Sequence, residues 1–592
     1  MRRIARYTVI ATGLSLLLSG CESGPTKTTE SDTTSAADTT GTTVSDAGDI
    51  ILQLDTAAPD SESNDVAPDS LADTRLPDAG DLGARRATLW RPYEEWSLND
   101  TSWSGNPFDV VAKVTFTHRK SGASHVTQMF YDGADTWKFR FTGTKTGLWR
   151  FQTRADGTNG TTDDPDLNGH SGLVDVQPNP DPEAHGFLTN DGNQWRWQGE
   201  KKPFVPQLLM YSGHETVPDE LGDDNMVDAA ITEFLDKHGF TGFEISMLSG
   251  YWFDADAGKY DVDASMKNPD PETFAALESA IQKVHAAGGA FHFWMWGDAA
   301  RGWTNKSLAG GINGKQDRRL QRYMAARLGP IPGWSAGYGF DLDEWAKSSQ
   351  VDAWNRNMQQ LLGWHHFLGG RPVGPNSGID HSSFNSWNDD LEYSSYEHHK
   401  PDYEVAVGAL SELTDQPVLS EDRNRVRNSN RQKDWSETET RRGLWQTTMA
   451  GGMANIWGQL ETSNQVSNTG VYGNRRQLAT YSKFWFDKGR YLSGITRANN
   501  LSNDTGNSTP NEIGNDSNTR VLKASDDQLV FYRQDASSIH LDLSGLSSPQ
   551  PAVAVDTKKA YSETDLGMLQ PKSQTLDLGS TSDWAIAIGT FP

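Results

Sequence analysis

Cys21 is the only cysteine among 592 residues, so no disulfide can close within the chain. Basic residues are scarce too. Lys and Arg number 53 against 79 Asp and Glu, a formal net charge of −26. Such a surface repels phosphate backbones, which argues against a nucleic-acid partner. No apolar run is long enough to cross a bilayer comfortably as a helix. No GxGxxG follows the first strand pattern of the central region, so the usual dinucleotide-binding loop is missing there.

What the chain has in quantity is tryptophan, 21 residues, within an aromatic content of 10%. Indole rings are costly to leave idle on a surface; they fill cores or form apolar platforms in sugar-binding clefts. At roughly 150 residues per domain, the length points to three or four units. Residues 1–21 read MRRIARYTVIATGLSLLLSGC. Leading arginines, a short apolar stretch and Leu18-Ser19-Gly20-Cys21 resemble a bacterial lipoprotein signal with its lipobox. The resemblance implies lipidation of Cys21, export, and tethering to a bacterial membrane through that lipid alone, at the cell surface or the periplasmic face. A plain secretory signal with an incidental cysteine is the alternative. Residues 22–85 are Thr, Ser, Ala, Asp and Pro without one aromatic. Too little apolar area is available there to offset the entropy of ordering, and a disordered spacer is expected.

Between residues 86 and 182, short alternating runs such as FDVVAKVTFTH, TWKFRFTG and GLWRFQTRAD are parted by Gly, Asn and Asp. That pattern predicts a small antiparallel β-sandwich. Over residues 183–495, buried-type strands alternate with helical patterns: FVPQLLMY with MVDAAITEFLDKHG, FTGFEISML with PETFAALESAIQKVHAAG, GAFHFWMWGD with DRRLQRYMAARLG. PGWSAGYGFDL precedes the helical VDAWNRNMQQLLGWHHFLG, and RPVGPNSG, LEYSSYEHH, QPVLSED and MANIWGQ supply strands five to eight. Eight such repeats predict an α/β fold, a (β/α)8 TIM barrel; a doubly wound open sheet is the alternative. Short strands return over residues 496–592 and predict a C-terminal antiparallel β-sandwich flanking the barrel.

In a barrel of this kind the active site lies at the C-terminal strand ends. Strand three ends at Trp294, Trp296 and Asp298, and strand four runs into Asp341 and Glu344. Strand five ends near Asn376, strand six at Tyr396, Glu397 and His398, and strand eight at Trp457. Strand seven ends at Glu421, with Arg423, Arg425 and Arg427 beside it. Glycoside hydrolysis uses two carboxylates flanking the scissile bond. Trp faces carry sugar rings, carboxylates and Arg bind hydroxyls, and an adjacent Arg keeps a nucleophilic carboxylate ionised.

GNPFDV and FYDGADTWKFRFTGTKTGLWRFQT resemble the sandwich domain found in front of bacterial glycoside hydrolase barrels. QPVLSE resembles the strand-seven nucleophile motif of the TIM-barrel clan of retaining glycosidases, and LEYSSYEHHKP resembles its strand six. The resemblance implies Glu421 as nucleophile and an acid/base at the end of strand four. The clan's Asn-Glu is replaced there by GFDLDEW, which leaves Glu344 and Asp341 both open. Trp294, Trp296, Asp298, Asn376, Tyr396, Glu397, His398, Arg423, Arg425 and Trp457 are then the expected substrate-binding set. A carbohydrate is the expected partner, with no cofactor and no metal. FDADAGKYDVD looks faintly like a calcium loop, but its twelfth position is Ser265, and a solvated loop is expected. Three competing readings stand beside these: Glu421 as an ion-pair partner of the arginines, Glu344 or Asp341 as a helix N-cap, and the whole chain as a non-catalytic carbohydrate-binding lipoprotein. A polysaccharide lyase or a serine esterase has less support.

Overall fold

The computed structural model describes residues 80–592 apart from 159–163, 193, 200–203, 205–206, 212–220, 246–248, 254–260, 298, 340–341, 371–390, 397–401, 413–415, 421–435, 453–474, 493 and 507–515. Cys21 and the expected spacer lie outside the described residues.

The first eight strands are β1 (Ala84–Thr88), β2 (Glu94–Asn99), β3 (Val110–His118), β4 (Ser124–Gln128), β5 (Phe130–Tyr131), β6 (Thr136–Phe141), β7 (Gly147–Thr158) and β8 (Ser171–Gln177). They form a five-stranded sheet, β1-β8-β7-β3-β4, and a three-stranded one, β2-β6-β5. The period-two pattern explains the packing. Val110, Ala112, Val114 and Phe116 of β3 point inward while Lys113 and Thr115 point out. Between the sheets Trp96 stacks on Phe139 with centroids 5.1 Å apart and meets Phe151 edge-on.

A hairpin follows, β9 (Leu188–Asp191) with β10 (Gln194–Trp197). Then come the parallel strands β11 (Leu208–Met210), β12 (Gly242–Ile245), β13 (Ala290–Trp296), β14 (Trp334–Gly339), β15 (Phe367–Gly369), β16 (Ser394–Tyr396) and β17 (Val418–Ser420). Helices separate most of them: α1 (Asp224–Ala230), continued by a wider turn to Asp236, α2 (Pro271–Ala286), α3 (Lys315–Leu328), α4 (Ser348–Leu362) and α5 (Tyr403–Glu412). After β17 come α6 (Glu437–Met449) and α7 (Arg475–Ser482). β11 to β15 are neighbours in chain order, all parallel, and β16 pairs with β17 in parallel. The order never reverses, as it would at the switch point of a doubly wound sheet. Glu392 N–H donates to Leu368 O at 3.0 Å, which links β15 to the segment entering β16. The strand expected eighth, MANIWGQ, lies outside the described residues.

The parallel set curls around a common interior. His292 of β13 approaches Ser335 Oγ of β14 at 2.8 Å through Nδ1, while its Nε2 faces the Tyr393 hydroxyl, just before β16, at 3.5 Å. Trp195 of the β9–β10 hairpin packs against Phe367 and Tyr393 and so plugs this interior from one end. Burial pushes the His292 imidazole down to about 3, so it is neutral.

Two expectations change here. The helical pattern through GWHHFLG breaks at Gly363, which ends α4 in the left-handed conformation at φ 71°. Strand five is therefore Phe367–Gly369, upstream of RPVGPNSG, and Asn376 lies outside the described residues.

Among the described residues the C-terminal strands β18 (Thr496–Arg497), β19 (Arg520–Ser525), β20 (Gln528–Asp542), β21 (Gln550–Asp556), β22 (Glu563–Leu569) and β23 (Ser573–Ile588) are hydrogen-bonded as one six-stranded sheet. Irregular pairing between Arg533 and Ser538 interrupts the long β20–β23 ladder. Leu529 and Phe531 before the break and Ile539 and Leu541 after it share one core. The opposite face, with Val530 and Tyr532, joins the central core. Tyr532 stacks on Trp445 of α6 at 5.2 Å.

Candidate active site

The site is expected at the strand ends, and the described residues nearest to them lie one layer inside. Along β13, His292, Trp294 and Trp296 share the inner face. Trp294 lies over Gly337 of β14, where any side chain would collide: a Cβ there would stand 2.3 Å from the indole ring. The indole N–H donates to Glu244 Oε1 of β12 at 2.9 Å. Glu244 is 0% exposed, one residue before the end of its strand. A carboxylate so placed must be hydrogen-bonded or neutralised. Its position in FEI, inside an otherwise apolar strand, was the signal that strand two also contributes to this end.

Trp294 and Trp296, expected to line a sugar cleft, are both fully enclosed. Trp296 belongs to the central core and Trp294 fills the space above Gly337. Neither presents an open face for stacking, and their role in this structure is interior packing. Glu344 is exposed, at the end of the single turn Leu342–Glu344 that follows β14. Glu344 does not cap α4, whose N-cap is Lys347. Trp345 turns back, stacks on Tyr338 and closes over Gly339.

Tyr396 ends β16 and pairs in register with Ser420, the residue before Glu421. The backbone thus sets Tyr396 and Ser420 side by side at adjacent strand ends. Glu421, Asp341, Asp298, Asn376, Glu397, His398, Arg423, Arg425 and Trp457 lie outside the described residues.

Gly333-Trp334-Ser335-Ala336-Gly337 has the letters of a GxSxG serine-nucleophile motif. Its serine, however, sits within β14, 2% exposed and held by His292, rather than on a strand-to-helix turn open to substrate. Among the described residues no group of three or more His, Cys, Asp or Glu side chains is arranged to hold a metal. No helix among them is long and apolar enough to cross a membrane.

Residues 87–156 match a family described as a domain of unknown function, DUF5060. No curated protein matches the chain. Three solved structures are similar in fold. One is a candidate glycoside hydrolase from Bacteroides vulgatus ATCC 8482, with a TM-score of 0.64 and 14% identity over 85% of this chain and 99% of that one. A glycoside hydrolase of family 5 from the same organism gives 0.52 and 12% over 69% and 93%. A third, described as a glycoside hydrolase, gives 0.51 and 12% over 69% and 97%. At these identities the likeness is one of fold: this chain has the mixed α/β architecture of glycoside hydrolases.

Proposed function

We propose that the chain hydrolyses an O-glycosidic bond of a polysaccharide or oligosaccharide with retention of configuration. Glu421 attacks the anomeric carbon, and Asp341 or Glu344 protonates the leaving oxygen and then activates water. The observation that carries this reading is the exit of two parallel strands into acids. β14 ends at Gly339, two residues before Asp341, and β17 ends at Ser420, immediately before Glu421. In a ring of parallel strands those exits share one end, where two carboxylates can flank a sugar bond. Arg423 and Arg425 would hold Glu421 ionised, and Tyr396, adjacent in register, would orient it. Export as a lipoprotein through Cys21 would put this site on the substrate's side of the membrane.

The test is release of reducing sugar from a panel of plant, algal and bacterial polysaccharides. Glu421→Gln should abolish release and retain binding. Proton NMR of the first-formed anomer separates retention from inversion. In retaining enzymes the two carboxyl groups lie ~5–5.5 Å apart, against ~6.5–9.5 Å in inverting ones. Binding without release by the wild type would instead make the chain a carbohydrate-binding protein.

A further inference from the structure

Asp317 lies in the first turn of α3 and is 0% exposed. A carboxylate so enclosed is tolerated only where donors replace its water. Two donors converge on one of its oxygens. Asn305 Nδ2, from the single turn Asn305–Ser307 that follows β13, donates to Asp317 Oδ2 at 2.8 Å. The Asn313 backbone N–H donates to the same oxygen at 2.7 Å. An acid in the first turn of a helix is favourable on charge grounds alone. That account does not extend to what the two donors reach next.

Asn305 Nδ2 also donates to the Tyr338 hydroxyl at 2.7 Å. Tyr338 is the penultimate residue of β14 and is fully buried. Its ring meets Trp354 of α4 at 4.7 Å and stacks on Trp345 at 5.6 Å. Asn313 holds φ 59°, in the left-handed region that Asn accepts more readily than most residues. Its Nδ2 donates to Gln350 O, in the first turn of α4, at 2.9 Å. The connection from β14 to α4 contains Asp341 and Glu344. One end of it is tied through Asn305 and the other through Asn313, and both ties meet on Asp317 Oδ2.

The geometry points to Asp317 as a positioning residue for the general acid, one that fixes both ends of the segment carrying Asp341 and Glu344. Being enclosed, it acts through its two donors. The role depends on the two-carboxylate reaction proposed above, and it holds for either acid. It bears on protonation of the leaving oxygen and not on the nucleophile, because Glu421 follows β17. A displacement of 1 Å at such a group costs about 100-fold in rate.

The test uses the full chain and two aryl glycosides of the sugar that the wild type releases from the polysaccharide panel. A dinitrophenyl group departs without a proton, whereas a phenyl group needs one. Tyr338→Phe keeps the ring and loses the hydroxyl; Asn313→Gly keeps the left-handed backbone and loses the amide. Each should lower kcat/KM for the phenyl substrate about tenfold, and the double variant about 100-fold, with the dinitrophenyl value nearly unchanged. Asp317→Ala should show the same selectivity with a lower Tm. Asp317→Asn, which keeps an oxygen able to accept both bonds, should recover most of the loss. A folded double variant in which the two substrates fall together, or neither falls, would overturn the positioning role and leave the hydrolase reading standing. A wild type that releases no sugar would overturn both.

Discussion

Replacing Asp583 with alanine should loosen the C-terminal sheet from α6. Asp583 is 0% exposed and sits within β23, where its pairing with β20 is irregular. It accepts from Arg441 Nη2 at 2.7 Å, from Arg442 Nε at 2.8 Å and Nη2 at 2.9 Å, and from Asp535 N at 2.9 Å. Lys558 lies 3.1 Å away. Although burial alone would raise its carboxyl, the hydrogen bonds and charge of Arg442 hold Asp583 far below the usual carboxylate range. Alanine leaves two buried guanidinium groups facing a cavity. Removing one partner from a buried pair costs about 3–5 kcal/mol. Native-state hydrogen exchange reads that cost locally, as a fall of about 150- to 5,000-fold in protection of α6 and β23. The folded carboxyl is depressed, so its contribution is full above the unfolded value of about 3.9 and fades as pH drops below it. A loss of protection under tenfold at neutral pH would refute the argument, and would mean that other contacts, such as Trp445 on Tyr532 and Arg490 with Glu563, suffice to hold the sheet.

Further outcomes follow from other buried groups. His125 stacks between Trp149 and Trp364 and is pushed down to about 4 by burial. Stability from its neutral form is complete above the unfolded value of about 6.5 and is lost as pH falls toward 4. His125→Gln should therefore flatten urea midpoints between pH 6.5 and 5, where the wild type loses about 2 kcal/mol to this group. Glu392 behaves in the opposite sense: burial raises it to about 8 while Leu368 N and Gln359 hydrogen-bond it. Stability should decline as pH rises from about 4.3 toward 8, and Glu392→Gln should remove that slope and be the more stable form at pH 8. Gly337→Ala should cost about 1–3 kcal/mol by overpacking against Trp294, visible in Tm and in the near-ultraviolet dichroism of the displaced indole. An unchanged Tm would show that Trp294 yields without strain.

Much of the fold was readable because burial follows period. Alternation in FDVVAKVTFTH and the apolar run of GAFHFWMW each name a strand and its inner face. What the pattern conceals is partnership. QLVFYRQ and SIHLDLSG read as separate strands because QDASS breaks the alternation, yet both belong to β20, whose irregular pairing lets one sheet line a core from two directions. HHFLG reads as helix because its apolar residues continue the spacing of α4, until Gly363 supplies a conformation that a helix cannot use. The role of Glu244 is hidden in the sequence because its hydrogen-bond donor, Trp294, lies 50 residues away.

Tryptophan content shows how composition and site diverge. At least ten of the 21 indoles are less than 2% exposed. Several sit where elements meet: Trp195 plugs the interior of the parallel strands, Trp445 carries the C-terminal sheet, and Trp149 is one face of the His125 stack. Each places a large apolar area at a junction that short strands could not otherwise fill. The abundance that first suggested a sugar platform is thus largely consumed in interior packing, part of it where elements join. The weight of the carbohydrate reading rests on the acids that follow β14 and β17, so loss of sugar release should track Glu421→Gln, whereas Trp296→Phe should act through stability and leave substrate preference unchanged.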